Sequence, residues 1–151
     1  MKFMATMIGA GLLCGVLVAA AEKQEWSKTE QLLIKAQKIC PVSGEALDSM
    51  GGPVKAQVGV QTIFLCCKGC VGKDIPQATW TKVKANLAKA QGKCPVLGKP
   101  LPANPKSIIV DKRMVFVCCP PCTKKVQTDS TKYLAVVDKL LAENLDEAKK
   151  K

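Results

Sequence analysis

The sequence contains no histidine. Without an imidazole, the chain cannot form a Ser-His-Asp or Cys-His catalytic arrangement, nor the histidine-bearing zinc site of hydrolytic enzymes. Aromatic residues are also scarce, at 4% of the 151 residues, and only 12 carboxylates oppose 23 basic side chains, which gives a formal net charge of +11. Cysteine, with nine residues, is the only soft metal ligand present in quantity. These absences favour a non-enzymatic protein whose chemistry depends on cysteine.

An uncharged apolar run follows Lys2 and extends from Phe3 to Ala21. A positive start, an apolar centre and small residues at the end are the layout of a secretory signal peptide. We predict cleavage after Ala21, which removes Cys14 and leaves eight cysteines and a charge of +10, since Lys2 is the only charge lost from +11. An uncleaved membrane anchor is the alternative, because the run is just long enough to cross a bilayer. In either case we expect an exported protein, periplasmic or extracellular.

The rest of the chain is a tandem duplication. At an offset of 54 residues, WSKTEQLLIKAQKICPVSG, starting at Trp26, aligns with WTKVKANLAKAQGKCPVLG, starting at Trp80. After a two-residue length change, the cysteines around Cys66 align with those around Cys118, so each copy contains four cysteines. A third, partial copy begins at Tyr133. Self-similarity of this extent indicates repeated structural units, in which the recurring aromatic residues are expected to anchor each helix in the core.

Hydrophobic periodicity predicts a helix at the start of each copy and another at the end of the chain. A capping box formed by Ser27 and Glu30 indicates the start of the first helix. The second helix is expected to begin at Thr79 or Thr81, and the third at about Ser130. Each copy should therefore be bracketed by helices.

Two short strands are predicted between the helices of each copy. In residues 54–66 the strands should turn near Gly59, and in residues 107–118 they should turn at Asp111-Lys112. The predicted unit is thus a helix, a Cys-Pro turn, a β-hairpin and a cysteine cluster that leads into the next helix.

The cysteines of each copy are spaced to meet in the folded chain. In copy one, Cys40 lies in a turn that contains proline and glycine, and Cys66, Cys67 and Cys70 follow the hairpin. The equivalent set in copy two is Cys94, Cys118, Cys119 and Cys122. Backbone N–H groups of the turn can stabilise one thiolate, and the start of a helical segment lowers the pKa of nearby thiols. Because thiolates are good ligands for soft metals, these eight cysteines are predicted to hold Zn(II) or Cu(I), one ion per module, rather than hard cations.

The pattern Cys-Pro-Val-x-Gly, a short hairpin, an aromatic-containing strand that ends in Cys and a second Cys four positions on resembles the TRASH and YHS group of small metal-binding modules. The resemblance covers nearly all of residues 38–133, and the segment FVCCPPCTKKVQTDSTKYL is the part most similar to the family pattern. It implies metal sensing, trafficking or sequestration. The ligands that it implies are Cys40, Cys66 and Cys70 in copy one, and Cys94, Cys118 and Cys122 in copy two.

Two positions depart from the family pattern. Cys67 and Cys119 occupy a site that is usually variable in the family, so they either complete a four-sulfur site or stay outside it. Copy one also differs after its cluster, where Pro76 predicts that the following helical segment is shortened.

Two other interpretations of the cysteines stay open. Four cysteines per module in an exported chain are also typical of a disulfide-stapled interaction module. Against this, adjacent cysteines rarely pair, and a bond from Cys66 or Cys67 to Cys70 would close a very small loop. Cys67-Lys-Gly-Cys70 and Cys119-Pro-Pro-Cys122 also have the spacing of a thiol-disulfide redox carrier, but no thioredoxin-like βαβ pattern surrounds them.

The lysines are spread along the predicted helices, and aromatic residues are few, which argues against a nucleic-acid partner. Attraction to an envelope protein or an anionic surface is the expected consequence of the charge, and membrane attachment is expected only if the signal is uncleaved.

We predict an α+β protein with two treble-clef-like modules linked and closed by helices. The predicted segments are a signal peptide at 1–21, a helix and cysteine module at 22–79, a second helix and module at 80–129, and a C-terminal helix at 130–151.

Overall fold

The computed structural model describes residues 25–150, so the predicted signal peptide and Cys14 lie outside the described residues. Residues 25–150 contain four α-helices and two two-stranded antiparallel sheets, which confirms the α+β class. The helices are α1 (Lys28–Gln37), α2 (Gln77–Gln91), α3 (Pro120–Thr128) and α4 (Ser130–Lys149). The strands are β1 (Val54–Val58), β2 (Gln61–Leu65), β3 (Lys106–Val110) and β4 (Arg113–Val117). None of the described helices has the length and apolarity needed to cross a membrane.

Helix α1 begins where the capping box predicts it. The Glu30 N–H donates to Ser27 Oγ, and the Ser27 N–H donates to the Glu30 carboxylate at 2.9 Å. Glu30 also forms an ion pair with Lys55 of β1 at 2.7 Å. Hydrogen bonds from Lys55 and Ser27 lower the pKa of the Glu30 carboxyl to about 2. The start of the first helix is therefore attached to the first hairpin.

Helix α2 begins earlier than predicted, at Gln77, so the expectation of a start at Thr79 or Thr81 is wrong. The two threonines lie in the first turns, where their hydroxyls donate to the carbonyls of Pro76 and Gln77. Pro76 is the N-cap residue. A proline suits a helix start because the first N–H groups have no intrahelical partner. Helix α4 begins at Ser130, as predicted.

Both hairpins form at the predicted positions. The first turns at Gly59, and the second turns at Asp111 and Lys112, whose φ angles are 47° and 63°. Two consecutive residues with positive φ are typical of a type I′ turn, whose twist matches that of the flanking strands. The second strand of each hairpin, β2 or β4, buries its aromatic side chain, Phe64 or Phe116.

The two modules differ after their cysteine clusters. In the first module, Lys68–Cys70 forms a single turn of 3-10 helix, and the chain continues without regular structure to Pro76. In the second module, α3 extends over nine residues. The shortened segment predicted for the first module is therefore confirmed. The residue before a proline is disfavoured in the helical conformation, which opposes a helix running up to Pro76.

Helices α1, α2 and α4 contact one another in all three pairs. Trp80 of α2 packs against the core clusters of both modules, Trp26 meets Phe64 edge-on with ring centroids 5.5 Å apart, and Tyr133 packs against the core of the second module. The prediction that these recurring aromatics anchor the helices in the core is confirmed.

Asparagine side chains join consecutive helices. Asn86 of α2 donates to the Gln37 carbonyl at the end of α1, at 3.2 Å. Asn144 of α4 donates to the Gln91 carbonyl at the end of α2, at 3.0 Å. Carbonyls in the last turn of a helix have no intrahelical donor. Each module's leading helix is therefore completed by a side chain from the next helix of the bundle.

The single arginine of the chain lies where several elements meet. Arg113 of β4 forms an ion pair with Asp138 of α4, and Asp138 also accepts a hydrogen bond from the Thr29 hydroxyl of α1 at 3.1 Å. The Arg113 side chain is only 12% exposed. Nearby, the Thr62 N–H donates to the Lys112 carbonyl at 2.7 Å and joins the two hairpins. These contacts hold the two modules and α4 together.

Candidate metal centre

Three cysteine thiols converge in each module. The Sγ atoms of each group lie within 4.8 Å of one another: Cys40, Cys66 and Cys70 form the first triad, and Cys94, Cys118 and Cys122 form the second triad. Cys40, Cys66 and Cys94 are completely buried, and Cys70 and Cys122 are nearly so. Both triads form at equivalent positions of the duplicated sequence.

A tight turn positions the first cysteine of each triad. The Cys40 N–H donates to the Glu45 carbonyl at 2.7 Å, and the Gly44 N–H donates to the Cys40 carbonyl at 2.9 Å. Gly44 has a φ of 78°, a conformation that glycine adopts without steric cost. Equivalent bonds, both of 2.8 Å, hold Cys94 in the second module. The turn thereby faces the end of the hairpin, where the other cysteines lie.

A buried glutamine ties this turn to the hairpin in the first module. Gln37 Nε2 donates to the carbonyls of Ile39 at 2.9 Å and Phe64 at 2.6 Å, and Gln37 Oε1 accepts from the Phe64 N–H at 3.1 Å. Ile39 precedes Cys40, and Phe64 lies two residues before Cys66. Gln37 therefore fixes the separation between the turn cysteine and the strand cysteine.

Gln91 makes the same three hydrogen bonds in the second module. Its amide donates to the carbonyls of Lys93 at 2.9 Å and Phe116 at 2.6 Å, and its oxygen accepts from the Phe116 N–H at 3.0 Å. Sequence analysis did not identify this role. The signal was present, because Gln37 and Gln91 are identical and aligned in the duplication.

The remaining two predicted site residues lie beside the triads. Cys67 Sγ is 3.7 Å from Cys70 Sγ, and Cys119 Sγ is 3.8 Å from Cys118 Sγ and 2.9 Å from Cys122 Sγ. Both side chains are half-buried, and all eight cysteines of the described residues are free thiols. Each module therefore brings together the four sulfurs that the sequence indicated, three of them mutually close and the fourth adjacent.

The thiols of the first triad differ in acidity. Burial raises the pKa of Cys40, but hydrogen bonds from the backbone of Ser43 and Cys66 outweigh burial and bring that pKa to about 7. Burial raises the pKa of Cys66, and it raises the pKa of Cys70 to about 12. One thiol of the first triad thus ionises near neutral pH, and the other two retain their protons.

The second module repeats this division. Burial opposes ionisation of Cys94, but hydrogen bonds from the backbone of Cys118 and Leu97 lower its pKa overall. Burial raises the pKa of both Cys118 and Cys122. A hydrogen bond from Cys122 lowers the pKa of Cys119, as one from Cys70 lowers the pKa of Cys67. In each module, the thiols with a lowered pKa are therefore the cysteine of the Cys-Pro turn, Cys40 or Cys94, and the half-buried Cys67 or Cys119.

Ser43 is a further polar group at the first triad. Its Oγ lies 3.4 Å from Cys66 Sγ, within hydrogen-bonding distance for sulfur. Leu97 occupies the equivalent position in the second module, where its side chain is 50% exposed and offers no polar atom. Sequence analysis missed this contact because the position is the variable one of the Cys-Pro-Val-x-Gly turn.

The sulfur separations fit a shared soft metal ion. With Zn–S bonds of about 2.3 Å in a tetrahedral site, two ligand sulfurs lie about 3.8 Å apart. The Cys66–Cys70 separation is 3.8 Å, and the Cys118–Cys122 separation is 4.0 Å. Hard cations such as Mg²⁺ and Ca²⁺ prefer oxygen ligands. The donor set is therefore suited to Zn(II) or Cu(I).

No protein-family model, curated protein or solved structure matches the chain.

Proposed function

We propose that the chain is a non-enzymatic metal-binding protein that holds one soft metal ion, Zn(II) or Cu(I), in each of its two modules. The observation that carries this proposal is the convergence of three thiols at equivalent positions of both copies, within 4.8 Å of one another, with all three buried in the first triad and two of the three buried in the second. A bound metal ion contributes directly to the folding of a small module.

The proposed ligands of the first ion are Cys40, Cys66 and Cys70, and those of the second are Cys94, Cys118 and Cys122. Cys67 and Cys119 are the candidates for a fourth sulfur in each site, because both lie beside a triad. A four-sulfur tetrahedral set suits Zn(II), and soft thiolates also select Cu(I). When bound, the metal would offset part of the thiolate charge and join the turn to the end of the hairpin.

We further propose that the protein works outside the cytoplasm, where it sequesters or carries the metal or is stabilised by it. The signal-like run of residues 3–21 supports export. The resemblance to the TRASH and YHS modules supports a role in metal handling. The net charge of +11 supports attraction to an anionic surface or an acidic envelope partner.

Metal and thiol content, measured together, test the proposal. The protein is isolated without chelator from the compartment in which it resides, and metals are quantified by elemental analysis alongside free thiols. We expect about one metal ion per module, and free thiols after the metal is removed. Protein with neither metal nor free thiol would contradict metal binding and support the disulfide-stapled interaction module.

Single-site variants provide the matched controls. Cys40→Ser should remove about one metal equivalent and leave the second site loaded, and Cys94→Ser should do the reverse. Cys67→Ser tests the fourth ligand in the first site: a weaker metal affinity supports a four-sulfur site, and an unchanged affinity assigns the metal to the triad alone. If neither Cys40→Ser nor Cys94→Ser changes the metal content, the triads are not the binding sites.

A further inference from the structure

The two modules differ in the geometry of their CxxC pairs. The Sγ atoms of Cys119 and Cys122 are 2.9 Å apart, whereas those of Cys67 and Cys70 are 3.7 Å apart. Two ligands of one tetrahedral zinc ion are about 3.8 Å apart, so the first module's pair already has that separation, whereas the sulfurs of the second module's pair would have to move apart to share a metal. A disulfide bond is about 2.05 Å long, so the two sulfurs of the second pair need to move a shorter distance to form one than those of the first pair.

The backbone around the second pair is also more constrained. Cys119 is the N-cap residue of α3, and Pro120 and Pro121 occupy the first two helical positions. Proline rings fix φ near −65°, and the nine-residue helix holds Cys122 in place. In the first module, Lys68 and Gly69 separate the cysteines within a single 3-10 turn. Glycine has the greatest backbone freedom, so the first pair is held less rigidly.

Exposure sets the order of reaction within the second pair, and the first pair has the same pattern, with Cys67 half-buried and Cys70 buried. Cys119 is half-buried, Pro120 and Pro121 beside it are exposed, and Cys122 is only 2% exposed. A small molecule from solvent can therefore reach Cys119 Sγ. It cannot readily reach Cys122 Sγ, which lies 2.9 Å from the sulfur of Cys119 and 4.0 Å from that of Cys118.

We propose that Cys119 and Cys122 form a redox-active dithiol that exchanges with small-molecule disulfides more readily than Cys67 and Cys70 do. Cys119 thiolate attacks one sulfur of the incoming disulfide, forms a mixed disulfide and releases the first thiolate. Cys122 then loses its proton to solvent and attacks Cys119 Sγ, which closes the Cys119–Cys122 bond and expels the second thiolate. The two protein thiols are oxidised, and one disulfide is reduced to two small thiols.

This activity goes beyond metal binding and is tested on metal-free protein, so its outcome is independent of the proposed metal function. The full chain, freed of metal, is equilibrated with mixtures of reduced and oxidised glutathione, alkylated and digested with trypsin. The peptide of residues 114–124 contains Cys118, Cys119 and Cys122, whereas cleavage after Lys68 separates Cys67 from Cys70. Mass spectrometry thus measures oxidation of the two modules separately.

We expect the 114–124 peptide to lose two alkyl labels at an oxidised glutathione concentration about tenfold lower than the one that links residues 56–68 to residues 69–73. The difference between the modules should shrink in concentrated urea, because it depends on the folded geometry. Equal oxidation of both modules in the native protein, earlier oxidation of the first module, or full labelling of the 114–124 peptide throughout would overturn the proposal.

Variants assign the bond to the two cysteines. Cys118→Ser should retain the loss of two labels, and Cys119→Ser should abolish it, with helix content checked by circular dichroism. Loss of two labels in Cys119→Ser would assign the bond to Cys118 and Cys122 and contradict the proposal. Pro120→Lys with Pro121→Gly gives the second module the intervening residues of the first, and the new lysine lets trypsin separate residues 114–120 from residues 121–124. The oxidised glutathione concentration that links these two peptides should shift toward that of the first module, without any change at a cysteine.

Discussion

Ser43 Oγ lies 3.4 Å from Cys66 Sγ, whereas Leu97 provides no polar group at the equivalent position. A hydroxyl beside a ligand sulfur stabilises the thiolate that a metal requires, and loss of such a supporting contact typically costs about 10- to 100-fold in metal affinity. We expect Ser43→Ala to weaken metal binding at the first module by about tenfold. Chelator competition in a Cys94→Ser background, which leaves only the first site, measures this change.

The matched control is Leu97→Ala in a Cys40→Ser background, which should leave the affinity of the second module unchanged. Ser43→Thr, which retains a hydroxyl, should keep most of the affinity of the first module. An equal effect of Ser43→Ala and Leu97→Ala would show that the hydroxyl has no special role at Cys66.

The acidities of the first triad predict how metal binding depends on pH. Cys66 has a raised pKa and Cys70 a pKa of about 12, so both are protonated near neutral pH and must release their protons to a metal. The metal affinity should therefore fall as the pH falls, by about 100-fold per unit for two released protons. Below pH 7 the dependence should steepen, since Cys40, with a pKa of about 7, then also binds a proton.

Chelator competition across a range of pH, corrected for protonation of the chelator, gives this slope. Proton release on metal addition in a weakly buffered solution measures the same quantity independently. A metal affinity that does not change with pH would show that the thiols are not the ligands.

Among the elements, a buried glutamine at the end of the helix is hydrogen-bonded to the following hairpin in each module. Gln91 is 2% exposed and satisfies both the N–H and the carbonyl of Phe116. Replacing one partner of a buried hydrogen bond leaves the other unsatisfied, at a cost of about 1–3 kcal/mol for each group. We expect Gln91→Met, which has a similar volume, to lower the free energy of unfolding by about 3 kcal/mol in a urea titration.

The exposed Gln57 of β1 provides a control, because Gln57→Met removes no buried hydrogen bond and should change stability by less than about 0.5 kcal/mol. Gln37→Met should behave like Gln91→Met, since Gln37 makes the same three bonds in the first module. If Gln91→Met matches Gln57→Met in stability, the glutamine does not join the turn to the strand.

The positions of helices and strands were largely predictable because their signals are local. The capping box at Ser27, the positive-φ turn at Asp111-Lys112 and the start of α4 at Ser130 all depend on residues close together in sequence. The prediction that α2 starts at Thr79 or Thr81 is wrong, because Pro76 occupies the N-cap position and the helix begins at Gln77.

The candidate site was predictable only in part. Both triads follow the cysteine spacing, because the duplication aligns their residues. The contacts of Gln37 with Phe64 and of Ser43 with Cys66 span 27 and 23 residues, and no local pattern specifies a partner at such a distance. The different Sγ separations of the two CxxC pairs likewise depend on the folded backbone.

For the molecule as a whole, Arg113 and Asp138 connect the second hairpin to α4 and, through Thr29, to α1. Removing one partner leaves the other charge poorly compensated, at a cost of about 3–5 kcal/mol for fully buried pairs. Because the side chain of Asp138 is 29% exposed, we expect Asp138→Ala to cost less, about 2 kcal/mol, measured as the change in urea unfolding free energy.

Lys139 and Glu143 provide a comparison on the same helix. Their ion pair is 3.9 Å long and both side chains are exposed, so Glu143→Ala should change stability by no more than about 0.5 kcal/mol. A loss for Asp138→Ala as small as that for Glu143→Ala would mean that the Arg113 link contributes little to holding the modules together.

The mutual contacts of α1, α2 and α4 also limit how this architecture can grow. In an open stack, a further repeat can be added at either end because each unit contacts only its neighbours. Here the last helix returns to the first, so the three helices close a triangle. An additional module inserted before α4 would separate that helix from α1 and expose the faces that they bury. The three-helix arrangement of residues 25–150 is therefore matched to two cysteine clusters, and a third module would require a different arrangement of the helices.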